Sequence, residues 1–283
     1  MKKIYTLALL CLFVSQLRAQ QGVIFKIKYM PQKTYQSSVG VGAKLNINLS
    51  GDPKFIDMLK SQGITPPVIA SLNMGLGGTM KTGSLNADNT FPLAIDYKIS
   101  NLAVEANGKQ VPIPANVTEK SIKVMAHVNA DGKIKIDSAE GRKVNDTTER
   151  KMQQMMDMMQ KQIKFPDKPM KPGDSFTQDT PMNIPVGKEN NVKIEGGLTY
   201  KLISIADGKA YFDMIPSFSM NLTIKNTTIT MTGMGTGKMV YSIKDNFPLS
   251  KDVKFTMKIK VVSPKVNVDG TADVTSTYSA TIN

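Results

Sequence analysis

The chain has 283 residues and a formal net charge of +13, with 36 Lys and Arg against 23 Asp and Glu. The lysines are spread singly and form neither a basic helix nor an aromatic-basic cluster, which argues against nucleic-acid binding. One cysteine, one histidine and no tryptophan are present, so the composition excludes an internal disulfide and a Cys-based metal site.

The first 19 residues have the pattern of a secretory signal peptide. Two lysines precede an apolar run over 7–14, and a small-residue cleavage site ends at Ala19. The run is too short to span a bilayer, and Leu10 before Cys11 differs from the Gly or Ala of a lipoprotein signal. We therefore expect export to the periplasm or to an extracellular, envelope-associated location, with cleavage that removes the only cysteine.

The chain after the signal shows the alternation that is typical of antiparallel β-strands. Over residues 35–49 the apolar side chains occupy odd positions, a period of two that extends over an unusually long strand. The segment 51–53 (Gly-Asp-Pro) then predicts a short helix near 54–62. Asn107-Gly108 and Asp131-Gly132 have the residue types of hairpin turns.

A helical period runs through one long stretch, which predicts a central helix over 146–164. Asp146 and Glu149 can form a capping box at its start, and Pro166 ends it. Its apolar stripe consists of Met152, Met155, Met156, Met159 and Ile163. Thioethers also select Cu(I), but such sites usually recruit His or Cys, and neither lies nearby in the sequence. We interpret the stripe as packing against a core or groove, and we expect no metal and no cofactor.

The second half of the chain, about 166–283, repeats the strand pattern of the first half, about 25–142. The aligned positions include Gly77, Gly78, Lys81 and Phe91 in the first half with Gly196, Gly197, Lys201 and Tyr211 in the second. We interpret this as a duplicated β unit within one β-rich domain, 20–283, whose halves the central helix joins. Any two alternating sequences align to some degree, so an independent origin of the halves stays open.

Strands with one apolar and one polar side can bury the apolar side in two ways. The apolar side lies inward in a soluble barrel, half-barrel or sandwich, and it lies toward lipid in an outer-membrane barrel. With no Trp and eight Tyr in the chain, the aromatic girdles of a membrane barrel are hard to build. We therefore expect a mostly β fold, a long curved antiparallel sheet that is half-barrel or barrel-like and does not span the membrane.

Methionine dominates the apolar side of this predicted sheet, and a Met-rich surface can repack around varied apolar ligands. We expect such a surface to bind a lipid or another apolar molecule. The candidate ligand-binding residues are Met74, Met80, Met155, Met156, Met159, Met214, Phe218, Met220, Met231 and Met257. The alternative is that the same side chains form an ordinary filled core.

Catalytic motifs are missing from the sequence. There is no serine nucleophile elbow, no phosphate-binding loop and no dinucleotide fingerprint. His127 lies between Ala126 and Val128, in a strand whose apolar residues point to the other side, so we expect a surface histidine. An enzyme built on paired carboxylates is the third possibility, but we predict no catalytic residues.

The segment over 165–176, FPDKPMKPGDSF, is the most specific stretch of the chain. It resembles the Pro-x-Lys-Pro to Gly-Asp-x-aromatic motif of a family of exported proteins and lipoproteins of Gram-negative Bacteroidota that has no established activity. The segment over 28–35, KYMPQKTY, is similar to that family's opening pattern, with Gln32 where glycine is expected. The resemblance implies export and a β-rich fold. Long curved strands with helices on one side are also similar to the half-barrels of lipoprotein carriers.

Together these observations predict an exported cell-envelope binding protein with an apolar groove for a lipid or another hydrophobic ligand. The alternative is a non-enzymatic structural or adhesive envelope protein with a filled core. Peripheral association with the envelope is compatible with either prediction.

Overall fold

A computed structural model describes residues 22–114, 121–139, 163–179, 182–186 and 190–283. Within these ranges the protein is mostly antiparallel β-sheet, as the alternation predicts. The strands are β1 Thr34–Gly51, β2 Val68–Thr82, β3 Phe91–Ala106, β4 Lys109–Gln110, β5 Ser121–Val128, β6 Ile134–Ala139, β7 Ser175–Asp179, β8 Met182–Val186, β9 Asn190–Ala206, β10 Lys209–Ile224, β11 Thr227–Ser242, β12 Phe247–Val262 and β13 Val266–Ile282.

The helix α1, Pro53–Ser61, confirms the short helix predicted near 54–62. It begins where the sequence places a cap, because Asp52 Oδ1 accepts hydrogen bonds from the amides of Lys54 (2.8 Å) and Phe55 (3.2 Å). Proline is tolerated at the first helical position, where its missing N–H would have no partner. No residue of α1 is buried, so this helix contributes little to the core.

The predicted central helix lies outside the described residues except for its last two positions. Ile163 and Lys164 are irregular in structure, and Ile163 is 6% exposed. The methionines Met155, Met156 and Met159 are among the residues that the structure does not describe.

The strands form one open sheet in the order β6-β5-β3-β2-β1-β13-β12-β11-β10-β9-β7, with β4 paired to β3 and β8 to β9. All pairs are antiparallel. The first long strand joins the last, with pairing that extends from Tyr35↔Ile282 to Gly51↔Val266. This pairing makes the two halves of the chain one continuous sheet.

The predicted turns at Asn107-Gly108 and Asp131-Gly132 both connect neighbouring strands, and in the second of them Gly132 has a positive φ (+82°) whereas Asp131 does not. Asn107 and Gly108 both have positive φ, +49° and +75°, as do Asp207 and Gly208, +51° and +70°. Two positive φ values are the requirement of the two-residue turn that suits the twist of a hairpin, and Asn, Asp and Gly tolerate them best. These turns join β3 to β4 and β9 to β10, so local chemistry determines where those strands reverse.

Strand pairing gives the sheet two chemically different faces. Directly paired residues share a face, so the odd positions of β1, β11 and β12 lie with the even positions of β2, β10 and β13. We call this side the apolar face. The other side, the polar face, carries mostly Thr, Ser, Asn, Asp and Lys, for example Asn46, Thr271, Lys258, Thr232 and Ser219 in one row across the sheet.

Two buried clusters occupy one end of the apolar face, which we call the proximal end. The first cluster contains Tyr35, Leu93 and Phe247. The second contains Leu202 and Phe212, which are 0% and 1% exposed. The segment over 22–33 connects them, since Ile27 packs against both clusters. Burial at this end is therefore produced by chain segments that lie across the sheet.

The two halves begin with similar backbone hydrogen bonds. In the first half the Gln32 amide donates to the Gly83 carbonyl (3.0 Å) and the Lys33 carbonyl accepts from the Thr82 amide (2.9 Å). In the second half the amide of Gly173 donates to the carbonyl of Leu202 (2.7 Å), and the Asp174 carbonyl accepts from the Leu202 amide (2.9 Å). Gln32 has φ +56° and Gly173 φ +100°. Each half thus enters the sheet through a left-handed residue.

Replacing Gln32 with glycine should stabilise the protein by about 0.5–1 kcal/mol, because a side chain in the left-handed region costs roughly 1–2 kcal/mol, part of which glycine's greater unfolded entropy offsets. Urea denaturation measures the change. Gln32→Ala is the matched control: it removes the hydrogen bond from Nε2 to Ser84 Oγ (3.3 Å) and keeps the strain. Equal stability of the Gly and Ala variants would contradict the prediction.

Candidate ligand-binding face

All seven candidate residues that the structure describes lie on the apolar face. They are Met74, Met80, Met214, Phe218, Met220, Met231 and Met257. The alternation of the sequence is the signal that places them there, and the observed registers agree with it. Met80, Met214 and Met220 are buried, whereas Met74, Phe218, Met231 and Met257 are half-buried. Met220 forms a small cluster of its own, against which Phe218 and Met231 pack.

Met80 and Met214 belong to the proximal clusters and are 5% and 3% exposed. Met80 pairs with Tyr35 on one side and Ile95 on the other. Met214 pairs with Tyr200. These two methionines therefore fill the core at the proximal end.

The other end of the apolar face is less covered, and we call it the distal apolar face. It contains the half-buried side chains of Val41, Leu45, Met74, Met231, Phe255, Met257 and Ile259. Their flanking neighbours within the sheet are also on the apolar face: Val41 pairs with Met74, and Met257 with Gly233. In the described ranges, the segments that lie across the sheet, 22–33 and 163–170, pack against the proximal clusters.

Glycine shapes the surface of the distal apolar face. The rings of Phe218 and Phe255 stack with centroids 5.1 Å apart and an interplanar angle of 29°. Both rings lie over Gly233, where an added Cβ would be 2.4 Å from each of them. The glycine-rich stretch of β11 thus leaves room for an aromatic pair on its apolar side.

Lys251 is the one charged side chain that the body of the sheet, β1–β3 and β10–β13, places on the apolar face. It is half-buried, and its Nζ lies 5.7 Å from the centroid of the Tyr278 ring. No carboxylate among the described residues forms an ion pair with it. Burial lowers the pKa of the Lys251 ammonium from its ordinary value.

The hydroxyl-bearing side chain next to this lysine is Tyr278, and Tyr97 in turn interacts electrostatically with Tyr278. Tyr278 pairs with Lys251 in β12 and with Val39 in β1. The Tyr97 hydroxyl lies 3.3 Å from Ser37 Oγ, and burial raises the pKa of both Tyr97 and Tyr278, so both phenols are neutral at pH 7. We call Ser37, Tyr97, Lys251 and Tyr278 the Lys251 cluster.

Sequence reasoning missed Lys251, although a signal for it was present. The odd positions from Val253 to Val261 are apolar, and the same alternation extended backwards reaches Lys251. A charged residue in phase with an apolar row is unusual. In a long alternating strand it marks a point where the apolar face carries a charge.

The polar face also contains wide-open recesses. One of about 730 Å³ is bordered by Glu195, Ser217, Thr232, Thr256 and Lys258. Another, of about 490 Å³, is bordered by Asn46, Lys260 and Thr271. Their linings mix hydroxyl, amide, lysine and carboxylate side chains.

His127 points to the polar face, away from the apolar residues of its strand, as the sequence predicts. Its Nδ1 lies 2.7 Å from Asp137 Oδ1, and both side chains are partly exposed, 30% and 48%. An exposed pair of this kind contributes little to stability.

Within the described residues no group of three or more His, Cys, Asp or Glu is arranged to hold a metal ion. The helical part of those residues likewise contains nothing long and apolar enough to cross a membrane. Neither the protein-family models nor the curated proteins compared with this chain give a match.

Proposed function

We propose that the protein is an exported cell-envelope protein that binds a lipid or another hydrophobic ligand on the distal apolar face, without catalysing a reaction. The observation that carries this proposal is the half-burial of Met74, Met231, Phe255 and Met257 at the end of the sheet opposite the packed clusters. Contiguous apolar surface of this kind is rare on soluble proteins and typically marks an interaction site.

The residue types support a ligand more than a rigid partner. Methionine has three rotatable bonds and a polarizable sulfur, so a Met-lined surface adapts to apolar molecules of varied shape. Burial of apolar surface contributes about 25 cal/mol per Å². The burial of apolar area would therefore supply most of the binding free energy of a hydrocarbon chain, and few directional contacts would be needed.

The finer features of the sequence prediction belong to this proposal. We propose that the sheet is a half-barrel that arose by duplication, which the matching turns at Gln32 and Gly173 support. The Met-rich helix over 146–164, with Met155, Met156 and Met159, remains a sequence-based prediction. It would add three methionines to the same apolar ligand surface.

Binding of a neutral single-chain lipid tests the proposal. We expect the protein that begins at Gln20 to bind a monoacylglycerol, and the double variant Met231→Gln/Met257→Gln to bind it at least about fivefold more weakly, since each half-buried Met contributes roughly 1 kcal/mol. Met234→Gln is the matched control, because Met234 lies on the polar face and is 70% exposed. Equal affinities for all three proteins, or no binding at all, would contradict the proposal.

The structural or adhesive alternative has its own supporting observation. Met80 and Met214, both candidate ligand residues, are filled core. If the monoacylglycerol does not bind and envelope polysaccharide does, we would assign binding to the polar face, with its Thr and Lys side chains.

A further inference from the structure

We propose that the Lys251 cluster binds the carboxylate of a fatty acid, whose hydrocarbon chain lies along the distal apolar face. The inference rests on the proposed function and specifies the class of ligand. The ligand would be a single-chain amphiphile with one negative charge, because Lys251 is the one cation that the described strands β1–β3 and β10–β13 place on this face.

Lys251 lies in a row of mostly apolar side chains. The row that contains it runs Val39, Tyr278, Lys251, Met239 and Phe212 across five strands. The next residue of β12 on the same face is Val253. An ammonium among apolar side chains loses hydration, which destabilises the protein unless an anion compensates. The described residues supply no such anion, so a ligand carboxylate would complete the site.

The neighbouring hydroxyls suit a carboxylate as well. A carboxylate has about four acceptor positions, and phenol and alcohol groups donate to them. Tyr97 reaches its position because Gly78 has no side chain: a Cβ there would be 2.3 Å from Tyr97 Cδ1. Ser37 holds the Tyr97 hydroxyl at 3.3 Å. Charge-assisted hydrogen bonds of this kind are roughly twice as strong as neutral ones.

Dimensions agree with an acyl chain. From Lys251 the same side of β12 continues through Val253, Phe255 and Met257, all half-buried. At about 3.3 Å per residue, Lys251 and Met257 are roughly 20 Å apart. The hydrocarbon of one bilayer leaflet is about 15 Å thick, half of a core of about 30 Å. A fatty acid with its carboxylate at Lys251 would therefore end between Phe255 and Met257.

The experiment compares palmitate with a monoacylglycerol of the same chain length, using the full protein from Gln20. We expect Lys251→Met to weaken palmitate binding by at least about tenfold, the loss of one charge-assisted contact, and to change monoacylglycerol binding less than about twofold. Lys254→Met is the control, because Lys254 lies on the same strand but is exposed on the polar face. It should leave both affinities unchanged.

The melting temperature of the ligand-free protein provides an independent readout. Lys251→Met should raise the Tm, because it replaces an uncompensated cation with an apolar side chain of similar length. A lower Tm would mean that the chain itself supplies an anion for Lys251, and would overturn the inference. Equal loss of palmitate and monoacylglycerol binding would also overturn it, as Lys251 would then act only through packing. Binding of neither ligand to the unsubstituted protein would instead overturn the proposed function.

Discussion

Replacing Phe25 with alanine is expected to lower the free energy of unfolding by about 3–5 kcal/mol, the cost of deleting a buried aromatic side chain. Phe25 is 2% exposed although it belongs to a segment without regular structure. Its ring contacts the rings of Phe165, Phe212 and Tyr241, with centroids 5.3, 5.2 and 5.3 Å away. Alanine would remove all three aromatic contacts and leave a cavity between them.

The consequences extend beyond one side chain, because this ring holds the segment over 22–33 on the sheet. The Tyr241 hydroxyl donates to the Lys26 carbonyl, beside Phe25 in the sequence. A backbone bridge between Val23 and Met170 connects the same segment to residues that precede β7. We therefore expect increased hydrogen exchange at Val23 and Met170 in the Phe25→Ala variant.

Ile24→Ala is the matched control for this prediction. Ile24 precedes Phe25 and is 49% exposed, so its truncation should change stability by less than about 0.5 kcal/mol. Urea denaturation of both variants, with the same dependence of the free energy of unfolding on urea concentration, measures the difference in stability. Equal losses in the two variants would mean that the segment does not contribute to the core in solution.

The second large effect is expected at a glycine pair in β2. Gly78→Ala should destabilise the protein by about 1–3 kcal/mol, the usual cost of overpacking. An added Cβ at Gly78 would lie 2.4 Å from the Asp96 carbonyl oxygen and 2.3 Å from Tyr97 Cδ1. The ring can rotate away, but the carbonyl belongs to the backbone of β3 and moves only with the strand.

Gly77→Ala provides the control for Gly78→Ala. Its nearest foreign atom would be the Ser37 carbonyl oxygen at 4.0 Å, so we expect no loss and a gain of up to roughly 0.5–1 kcal/mol from reduced entropy of the unfolded chain. Thermal denaturation of the two variants under one condition gives the comparison. A loss in Gly77→Ala as large as in Gly78→Ala would contradict the strand register described here.

Much of the sheet could be predicted because its signals are local. The period of two over 35–49 assigns side chains to faces, and the observed pairing of β1 with β2 and β13 agrees with it. Asp52 and Pro53 predict the start of α1, and Asn107-Gly108 predicts a reversal, because each acts on its own backbone.

Strand order and register needed information that lies far away in the chain. The pairing of β1 with β13 depends on packing across the whole sheet, and no local pattern identifies the partner. The aligned repeat placed Phe91 on Tyr211, but a bulge at Tyr211/Phe212 shifts the register there. As a result Leu93 and Phe212 have corresponding positions in the two clusters, each paired with a buried residue of the preceding long strand, Thr82 or Leu202.

Only part of the candidate site could be predicted, because the burial of its side chains also depends on residues that lie far away in the chain. Alternation places methionines on the correct face, but it does not distinguish the packed Met80 from the half-exposed Met74. That difference depends on the segments that cross the sheet near Phe25 and Phe165, whose path has no periodic signal. Lys251 was not predicted because a charged residue breaks the run of apolar odd positions that continues from Val253.

The pairing of β1 with β13 has a consequence for the order in which the protein folds. Tyr35 and Ile282 come from opposite ends of the chain, so a chain that emerges amino-terminus first presents one unpaired edge of β1 until β13 has been made. Contacts between such distant residues slow folding, and an unpaired strand edge can capture another chain. Slow completion keeps the polypeptide unfolded for longer, which suits the export that we propose, because a secretion channel threads an unfolded chain. We therefore expect the docking of β13 against β1 to be the slow step of refolding.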